Sequence, residues 1–249
     1  MDKKKVKDVI TGIIVIVVLV TLVITLYRCE TDRARRDFAR SIAALSPRGG
    51  PPETIENLMA AIALYEEQIE RNVNEGVQTG MYWRILGIRL AGRGMYRDAL
   101  NAMERAIHFN ALDPMLFFLT GEYARILAMS TLDFSENSIR ERERLFNLSE
   151  SAYLRAIELD PIYVQPRLGL GELYFVLGRT DEAIPHLERL LELSPHNIRG
   201  MDILAQSHFI EGNPHRAIDL YERIILSRAS TPEEREAAQY LISFIQDNM

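Results

Sequence analysis

Apolar residues along this 249-residue chain fall at helical spacing, and the pattern of large and small apolar positions repeats every 34 residues. Gly87 and Gly121 lie 34 residues apart, and so do Gly171 and Ala205. The step from Gly121 to Gly171 is 50 residues, one period plus 16, so a 16-residue insertion lies between them. A fixed period of this length predicts stacked helical units, each of which buries its apolar face against its neighbours.

The segment 164–197 shows what one period contains. We expect a first helix that starts near Pro166 and stops at Gly178, because proline suits a first helical turn and glycine suits a helix end. A second helix is expected to begin at Thr180, acting as its N-cap, and to end before Pro195. The inward stripe of this second helix has helical spacing and consists of Ala183, Ile184, Leu187, Leu190 and Leu191.

Three further segments, 80–113, 114–163 and 198–230, carry the same order of residue types. In 80–113 the order is Trp83, Leu86, Gly87, Leu90, Gly94, Tyr96, Ala99, Met103 and Ala106. This order resembles the tetratricopeptide repeat, whose consensus has a large residue, Leu-Gly, Tyr, Gly, Ala, an aromatic, Ala and Pro at fixed positions. The resemblance implies an all-α fold, a right-handed solenoid of helix-turn-helix repeats.

The segments that flank the repeats, and the insertion within them, also have helical patterns. We predict a partial repeat-like helix region at 53–79 and a capping helix at 231–249, where Thr231 and Glu234 form a capping box. The insertion, 129–144, is polar and is predicted to lengthen the following helix with a solvated, charged face. It would project from one edge of the stack, where Phe134 is the candidate for a partner contact.

An uncharged run of 19 residues, 9–27, is rich in Val, Ile and Leu. At about 1.5 Å per residue it reaches about 28 Å, close to the thickness of a bilayer's hydrocarbon core. A cleaved signal peptide is the alternative, but its apolar region is typically shorter, and no small-residue cleavage site follows Tyr27. We therefore predict a single transmembrane helix at 9–27, after a basic tail at 1–8. The segment 28–52 is predicted to be a juxtamembrane helix followed by a Pro/Gly linker.

The orientation of this anchor depends on two basic clusters that oppose each other. Four lysines precede the apolar run, and five arginines follow it, the first being Arg28 and the last Arg40. The lysines favour a cytoplasmic N-terminus, whereas the arginines favour the opposite orientation. We expect a bacterial inner-membrane protein whose repeats are extracytoplasmic; the alternative is a cytoplasmic repeat domain.

Charge and composition restrict the chemistry further. Residues 41–249 carry 20 basic and 30 acidic side chains, a balance that argues against nucleic-acid binding. The five histidines form no cluster with metal-ligand spacing, and no nucleophile elbow, phosphate loop or carboxylate pair is visible. We predict no enzymatic activity, no cofactor, no metal site and no small-molecule substrate. Cys29 is the single cysteine, so no internal disulfide can form.

The resemblance also implies a function, because first helices in this family line a concave groove that binds a peptide or a partner helix. By position, the groove residues would be Arg84, Ile88, Phe118, Glu122, Arg125, Leu168, Glu172, Phe175, Asp202, Gln206 and Phe209. The prediction is a membrane-anchored adaptor or scaffold that binds protein partners through this groove and the lipid bilayer through 9–27. Alternatives are a structural accessory subunit of an envelope enzyme or transport machine, and a cytosol-facing import or chaperone receptor.

Overall fold

The computed structural model describes residues 21–23, 25, 33–48, 50–69, 76–131 and 133–248. Its contacts divide the chain into two units, Met1–Glu75 and Gly76–Met249. Apart from 21–23 and 25, which are helical, the predicted transmembrane segment 9–27 lies outside the described residues. None of the described helices has both the length and the apolar character needed to cross a bilayer.

The described part of the first unit includes two longer helices. Residues 33–45 are helical (α1), and α2 runs over Ile55–Ile69. Phe38 and Ile42 are half-buried on one side of α1. The Phe38 ring meets Tyr65 of α2 edge to face, with 5.0 Å between ring centroids. The buried Leu58 and Ala61 complete the apolar side of α2.

The second unit is a series of helix pairs in which each first helix precedes its second helix. The pairs are α3 (Gly76–Ala91) with α4 (Tyr96–Phe109), α5 (Pro114–Ser130) with α6 (Glu136–Leu159), α7 (Val164–Val176) with α8 (Thr180–Leu193), and α9 (Ile198–Ile210) with α10 (Pro214–Leu226), followed by α11 (Pro232–Asp247). Each helix packs against the next along the chain, and α5, α7 and α9 also contact one another in that order. This arrangement of the described helices is an all-α solenoid. Its first pair begins at Gly76, four residues before the boundary expected at 80.

Small residues let the paired helices approach closely. The ring of Tyr153 on α6 lies between two glycines, Gly121 of α5 and Gly169 of α7. A Cβ atom at either glycine would fall 2.6 Å from a ring carbon, well inside van der Waals contact. Gly171 faces Leu187 in the same way, at 2.5 Å. The glycines of the sequence pattern therefore mark the positions where side chains of the second helices fill the space beside the first helices.

Glycines also end the first helices. Gly178 has a φ of +71°, and the equivalent Gly94 and Gly212 each have +76°, a region that L side chains rarely adopt. The expectation that Thr180 caps α8 is wrong. Arg179 is the N-cap residue of α8, and its side chain does not accept a hydrogen bond from the backbone of the first turn. The Thr180 hydroxyl donates a hydrogen bond to Glu211 instead.

The insertion lengthens both helices of its repeat, and not only the second helix as expected. α5 has 17 residues where α7 has 13, and α6 has 24 where α8 has 14. The turn between them takes the remaining two residues. At that turn the Asp133 carboxylate accepts hydrogen bonds from the hydroxyls of Ser135 and Ser138, each at 2.7 Å, and Phe134 points into solvent.

The last helix, α11, starts with the capping box expected at Thr231 and Glu234. Its first residue, Pro232, lies 34 residues after Ile198, the first residue of α9. It therefore occupies the position of a further first helix and buries Ala238 and Ile245 against the core.

Candidate protein-binding surface

The predicted groove residues lie on one side of the first helices, which we call the first-helix face. It is formed by Arg84 and Ile88 on α3, Phe118, Glu122 and Arg125 on α5, Leu168, Glu172 and Phe175 on α7, and Asp202, Gln206 and Phe209 on α9. Arg84 is held at the start of this face by Asp113, with 2.8 Å between the guanidinium and the carboxylate. Ile88 is exposed.

Five charged side chains form a continuous line of ion pairs across three helices, which we call the polar rail. Arg125 contacts Glu122 at 3.0 Å and Glu172 at 3.2 Å. Glu172 in turn accepts a hydrogen bond from Arg199 at 2.9 Å, and Arg199 approaches Asp202 at 3.8 Å. Each charge in the rail faces at least one opposite charge, and the three carboxylates and two guanidiniums leave a net charge of −1.

Tyr153 connects the polar rail to the core. Its hydroxyl donates to Glu122 and accepts a hydrogen bond from Arg125 at 3.3 Å, while its ring is fully buried. Burial, reinforced by the Glu122 carboxylate, raises the pKa of the Tyr153 phenol, so the phenol remains a hydrogen-bond donor at neutral pH. Tyr153 belongs to the second helix of its repeat, and its link to the first-helix face depends on three-dimensional proximity.

Four of the five large apolar groove candidates are half-buried and pack against the hydrophobic core: Phe118, Leu168, Phe175 and Phe209. Phe118 meets Tyr163 edge to face at 5.6 Å. These side chains therefore contribute to packing between repeats and expose only part of their surface. Their contact with a partner stays a prediction.

A second set of apolar residues on the first-helix face is more exposed. Val176, Ile210 and Phe244 occupy equivalent positions, 34 residues apart, on α7, α9 and α11. Their exposed fractions are 50%, 60% and 45%, and Tyr240, one turn before Phe244, is 70% exposed. We call these four residues the apolar ridge. The ridge was not predicted from the sequence, because the last helix was expected to act only as a cap. One more step of 34 residues from Gln206 and Ile210 reaches Tyr240 and Phe244.

Two cavities open along this face. One, of about 160 Å³, lies between the polar rail and the apolar ridge and is lined by Arg125, Met129, Glu172, Phe175, Val176, Arg199, Ile203 and Gln206. The other, of about 240 Å³, lies between α9, α10 and α11, with Ile198, Tyr221, Ile224 and Leu241 among its apolar lining residues. The face thus offers one recess of mixed polar and apolar lining and one with several apolar lining residues, beside a line of paired charges.

A larger cavity, of about 570 Å³, lies between α8, α9 and α10. Its inner wall includes Leu191, Leu204 and His208, and its rim includes Glu188 and Arg216. The Nδ1 atom of the buried His208 has no hydrogen-bond partner among the described residues. Burial is the main cause that lowers the pKa of His208, and the neighbouring Arg216 adds to it.

The described residues bring no three His, Cys, Asp or Glu side chains into an arrangement that could hold a metal ion. The segment 147–149 has the Asn-X-Ser pattern of a glycosylation acceptor and lies inside α6. Its Ser149 is buried and donates a hydrogen bond to the Gly121 carbonyl at 2.9 Å.

Comparisons with known proteins agree with this architecture. Residues 140–198 match the sequence profile of the family described as "Tetratricopeptide repeat". A stretch of 154 residues is 28% identical to anaphase-promoting complex subunit 3 of Schizosaccharomyces pombe, covering 60% of this chain and 21% of that protein. A stretch of 81 residues is 28% identical to tetratricopeptide repeat protein 8 of Caenorhabditis elegans, covering 32% of this chain and 16% of that protein. The chain spans about a fifth or less of the length of these relatives.

Solved structures show the same fold at low sequence identity. TTC0263, a thermophilic tetratricopeptide-repeat protein of Thermus thermophilus, matches with a TM-score of 0.54 at 18% identity, covering 75% of this chain and 91% of that one. YrrB, described as a tetratricopeptide-repeat protein with an unusual peptide-binding site, matches with a TM-score of 0.51 at 16% identity, covering 78% and 86%. Together with the 34-residue period and the helix pairs, these matches assign the described helices of this chain to the tetratricopeptide-repeat solenoid fold.

Proposed function

We propose that this chain is a membrane-anchored adaptor that binds a segment of a partner protein along its first-helix face. The observation that carries the proposal is the apolar ridge, in which Val176, Ile210 and Phe244 expose apolar surface at equivalent positions on successive helices. Solvent-exposed apolar side chains that lie next to one another on neighbouring helices are typical of an interaction surface. One structural relative, YrrB, is described as having a peptide-binding site, which is consistent with this use of the fold.

The charges beside the ridge favour an apolar mode of recognition. In the polar rail, the side chains of Arg125 and Glu172 are only 15% and 16% exposed and already contact each other. A partner that formed ion pairs with these side chains would first have to break the existing ones, and it would have to desolvate its own charged groups. We infer that affinity comes mainly from apolar side chains of the partner that contact the ridge and enter the two recesses beside it. The polar rail would contribute specificity, because it disfavours partner groups that cannot match its charges.

The spacing of the ridge also restricts the partner. Neighbouring packed helices lie about 8–10 Å apart, and an α-helix rises about 1.5 Å per residue. A helical partner that crosses α7, α9 and α11 would therefore present an apolar side chain roughly every six or seven residues. An extended partner would need one about every third residue.

Site-specific photocrosslinking tests the surface directly. A photoreactive amino acid at Ile210, on the ridge, should give a discrete cross-linked protein in native membranes. The matched control is the same probe at Leu226, which is 82% exposed but belongs to the second helix α10. Equal adducts from both positions would contradict the proposed surface.

Membrane anchoring through 9–27 is part of the proposal and rests on the sequence of that run. The chain should stay with the lipid pellet after alkaline extraction. With an extracytoplasmic repeat domain, protease added after permeabilisation of the outer layer should digest the repeats and leave a fragment of about 30 residues, set by the predicted span. Full protection of a cleavable repeat domain would place it in the cytoplasm and leave the adaptor role intact.

A second candidate function is that of a structural accessory subunit in an envelope enzyme or transport machine. The lengthened α5–α6 hairpin favours it, because the hairpin presents Phe134 in solvent on a turn fixed by Asp133. Blue-native electrophoresis separates the two candidates. A stoichiometric complex that is lost on Phe134→Ser, but kept on Ile210→Asp, would favour the accessory subunit.

A further inference from the structure

The outward side of α1 is basic. Arg33, Arg36 and Arg40 are exposed and follow one another at i, i+3 and i+7, so they form a stripe along one side of the helix. The other side is occupied, because Phe38 and Ile42 are half-buried and Phe38 packs against Tyr65 at 5.0 Å. Packing against α2 therefore fixes which way the arginine stripe faces.

The charges of the stripe are largely uncompensated within the described residues. Arg33 and Arg36 make no ion pair there, and Arg40 contacts Asp37 at 3.3 Å with both side chains more than half exposed. Residues 33–45 contain four arginines and one acidic residue, whereas residues 41–249 carry ten more acidic than basic side chains. Apart from the basic tail at 1–8, α1 is thus a basic helix in a chain whose larger part is acidic.

The position of the stripe along the chain indicates its partner, and this step rests on the proposed anchor at 9–27. Arg33 lies six positions after Tyr27. A fully extended chain of six residues spans at most about 20 Å, so α1 must begin near the headgroup region. At that distance a basic helix lies within the field of an anionic membrane surface, which decays over about one Debye length.

We propose that the arginine stripe of α1 binds the phosphate groups of anionic phospholipids and so holds the first unit against the membrane surface. Arginine suits this role because its planar guanidinium donates paired hydrogen bonds to phosphate oxygens. Each basic side chain near an anionic surface contributes roughly fivefold to binding, so three give on the order of a hundredfold.

Trypsin reports on the stripe because it cleaves after arginine, and Arg35 remains as a cleavage site when the stripe is changed. The full chain would be placed in nanodiscs of phosphatidylcholine alone, or of phosphatidylcholine mixed equally with phosphatidylglycerol. We expect cleavage after Arg35 to be about tenfold slower in the anionic discs, and the difference to shrink as added salt screens the charges.

Three variants identify the residues responsible. The triple variant Arg33→Gln, Arg36→Gln and Arg40→Gln should be cleaved equally fast in both kinds of disc. The corresponding Arg→Lys triple variant keeps the charge and should keep most of the protection. Arg48→Gln, a change of the same type at an exposed position outside α1, should leave the protection unchanged.

The outcomes separate this inference from the proposed anchor. A chain that integrates into both discs and is cleaved at equal rates overturns the lipid role of the stripe and leaves the anchor standing. If the chain fails to integrate into the discs but floats with anionic vesicles at low salt only, the proposed anchor is overturned and the lipid role of the stripe is supported. Binding of the stripe to protein or nucleic acid, with no dependence on lipid charge, also overturns the inference.

Discussion

Phe209 of α9 and Phe244 of α11 pack edge to face, with ring centroids 6.1 Å apart and the ring planes at 68°. This contact ties the last helix to the preceding first helix at the first-helix face. Aromatic pairs with this geometry contribute about 0.5–1.5 kcal/mol beyond their area burial. As a result, α11 both closes the hydrophobic core and continues the apolar ridge.

The ridge predicts a selective loss of partner binding. Ile210→Asp places a charge where an apolar contact is expected, so the affinity for the partner should fall at least about tenfold. Leu226→Asp makes the same change at an exposed residue off the first-helix face and should leave the affinity unchanged. Equilibrium binding of the captured partner, or of a peptide from it, measures both variants.

Thermal unfolding of both variants provides the control for folding. Neither residue is buried, so each change should alter the free energy of unfolding by no more than about 0.5 kcal/mol. Loss of binding in both variants, or in neither, would contradict the assignment of the ridge.

The repeat period explains which parts of this picture can be predicted from sequence. A 34-residue spacing locates Gly121, Gly171 and Gly178, because close packing and a positive φ restrict those positions to small residues. The polar rail is different. Its members come from three helices, and whether Arg125 meets Glu172 or solvent depends on helix rotation that no local pattern specifies.

Two other structural features, the insertion and the N-cap of α8, could not be predicted correctly from the sequence. The polar insertion was predicted to lengthen only the second helix of its repeat. Both helices are longer, and the turn fixed by Asp133 lies between them. The second is the N-cap of α8. Thr180 has the right side chain for a cap, but its hydroxyl is directed to Glu211 in the next repeat, a tertiary contact that overrides the local preference.

The close contact between Gly121 and the Tyr153 ring predicts that a larger residue at position 121 lowers the stability of the fold. At Gly121→Ala the new methyl group would lie 2.6 Å from the Tyr153 ring, which is fully buried and cannot rotate away without leaving Glu122. Overpacking of this kind costs on the order of 1–3 kcal/mol, partly offset by the better helix propensity of alanine. Urea unfolding measures the loss.

Gly92→Ala is the matched control for this substitution. A Cβ atom there meets nothing closer than 3.5 Å, so the free energy of unfolding should stay within about 0.5 kcal/mol of the parent chain. Equal losses at the two glycines would show that the Tyr153 contact is not what restricts Gly121.

The polar rail predicts that Arg125 matters more than an exposed arginine. Arg125→Met removes contacts to Glu122, Glu172 and Tyr153 at once, and leaves two partly buried carboxylates without this cation. The free energy of unfolding should fall by about 2 kcal/mol, as for other charged hydrogen bonds. Arg189→Met is the control, because Arg189 and Glu192 are 49% and 61% exposed and such pairs contribute little. A loss at Arg125 no greater than the loss at Arg189 would count against the rail as a structural element.

The buried imidazole of His208 predicts how stability depends on pH. Burial disfavours its protonated form, so its pKa in the folded chain lies below the unfolded value of about 6.5. As the pH falls below about 6.5, the unfolded state binds a proton that the folded state does not, and the free energy of unfolding declines. The decline ends once the pH passes below the folded pKa. The charged groups around the ring act in opposite senses, since Arg216 lowers the pKa and Glu188 raises it.

Two substitutions at His208 separate this titration from the packing of its cavity. In the preceding repeat the equivalent residue is Tyr174, which donates a hydrogen bond to Glu150 at 2.8 Å and lies under Arg179 at 4.5 Å. His208→Tyr should flatten the decline of stability between neutral and acidic pH, and fill part of the cavity for a gain of about 1 kcal/mol at pH near 8. His208→Asn should flatten the decline without that gain, because it removes the titrating group and adds no volume. Urea unfolding across the pH range tests both, and a decline that persists unchanged in the two variants would assign it to other groups.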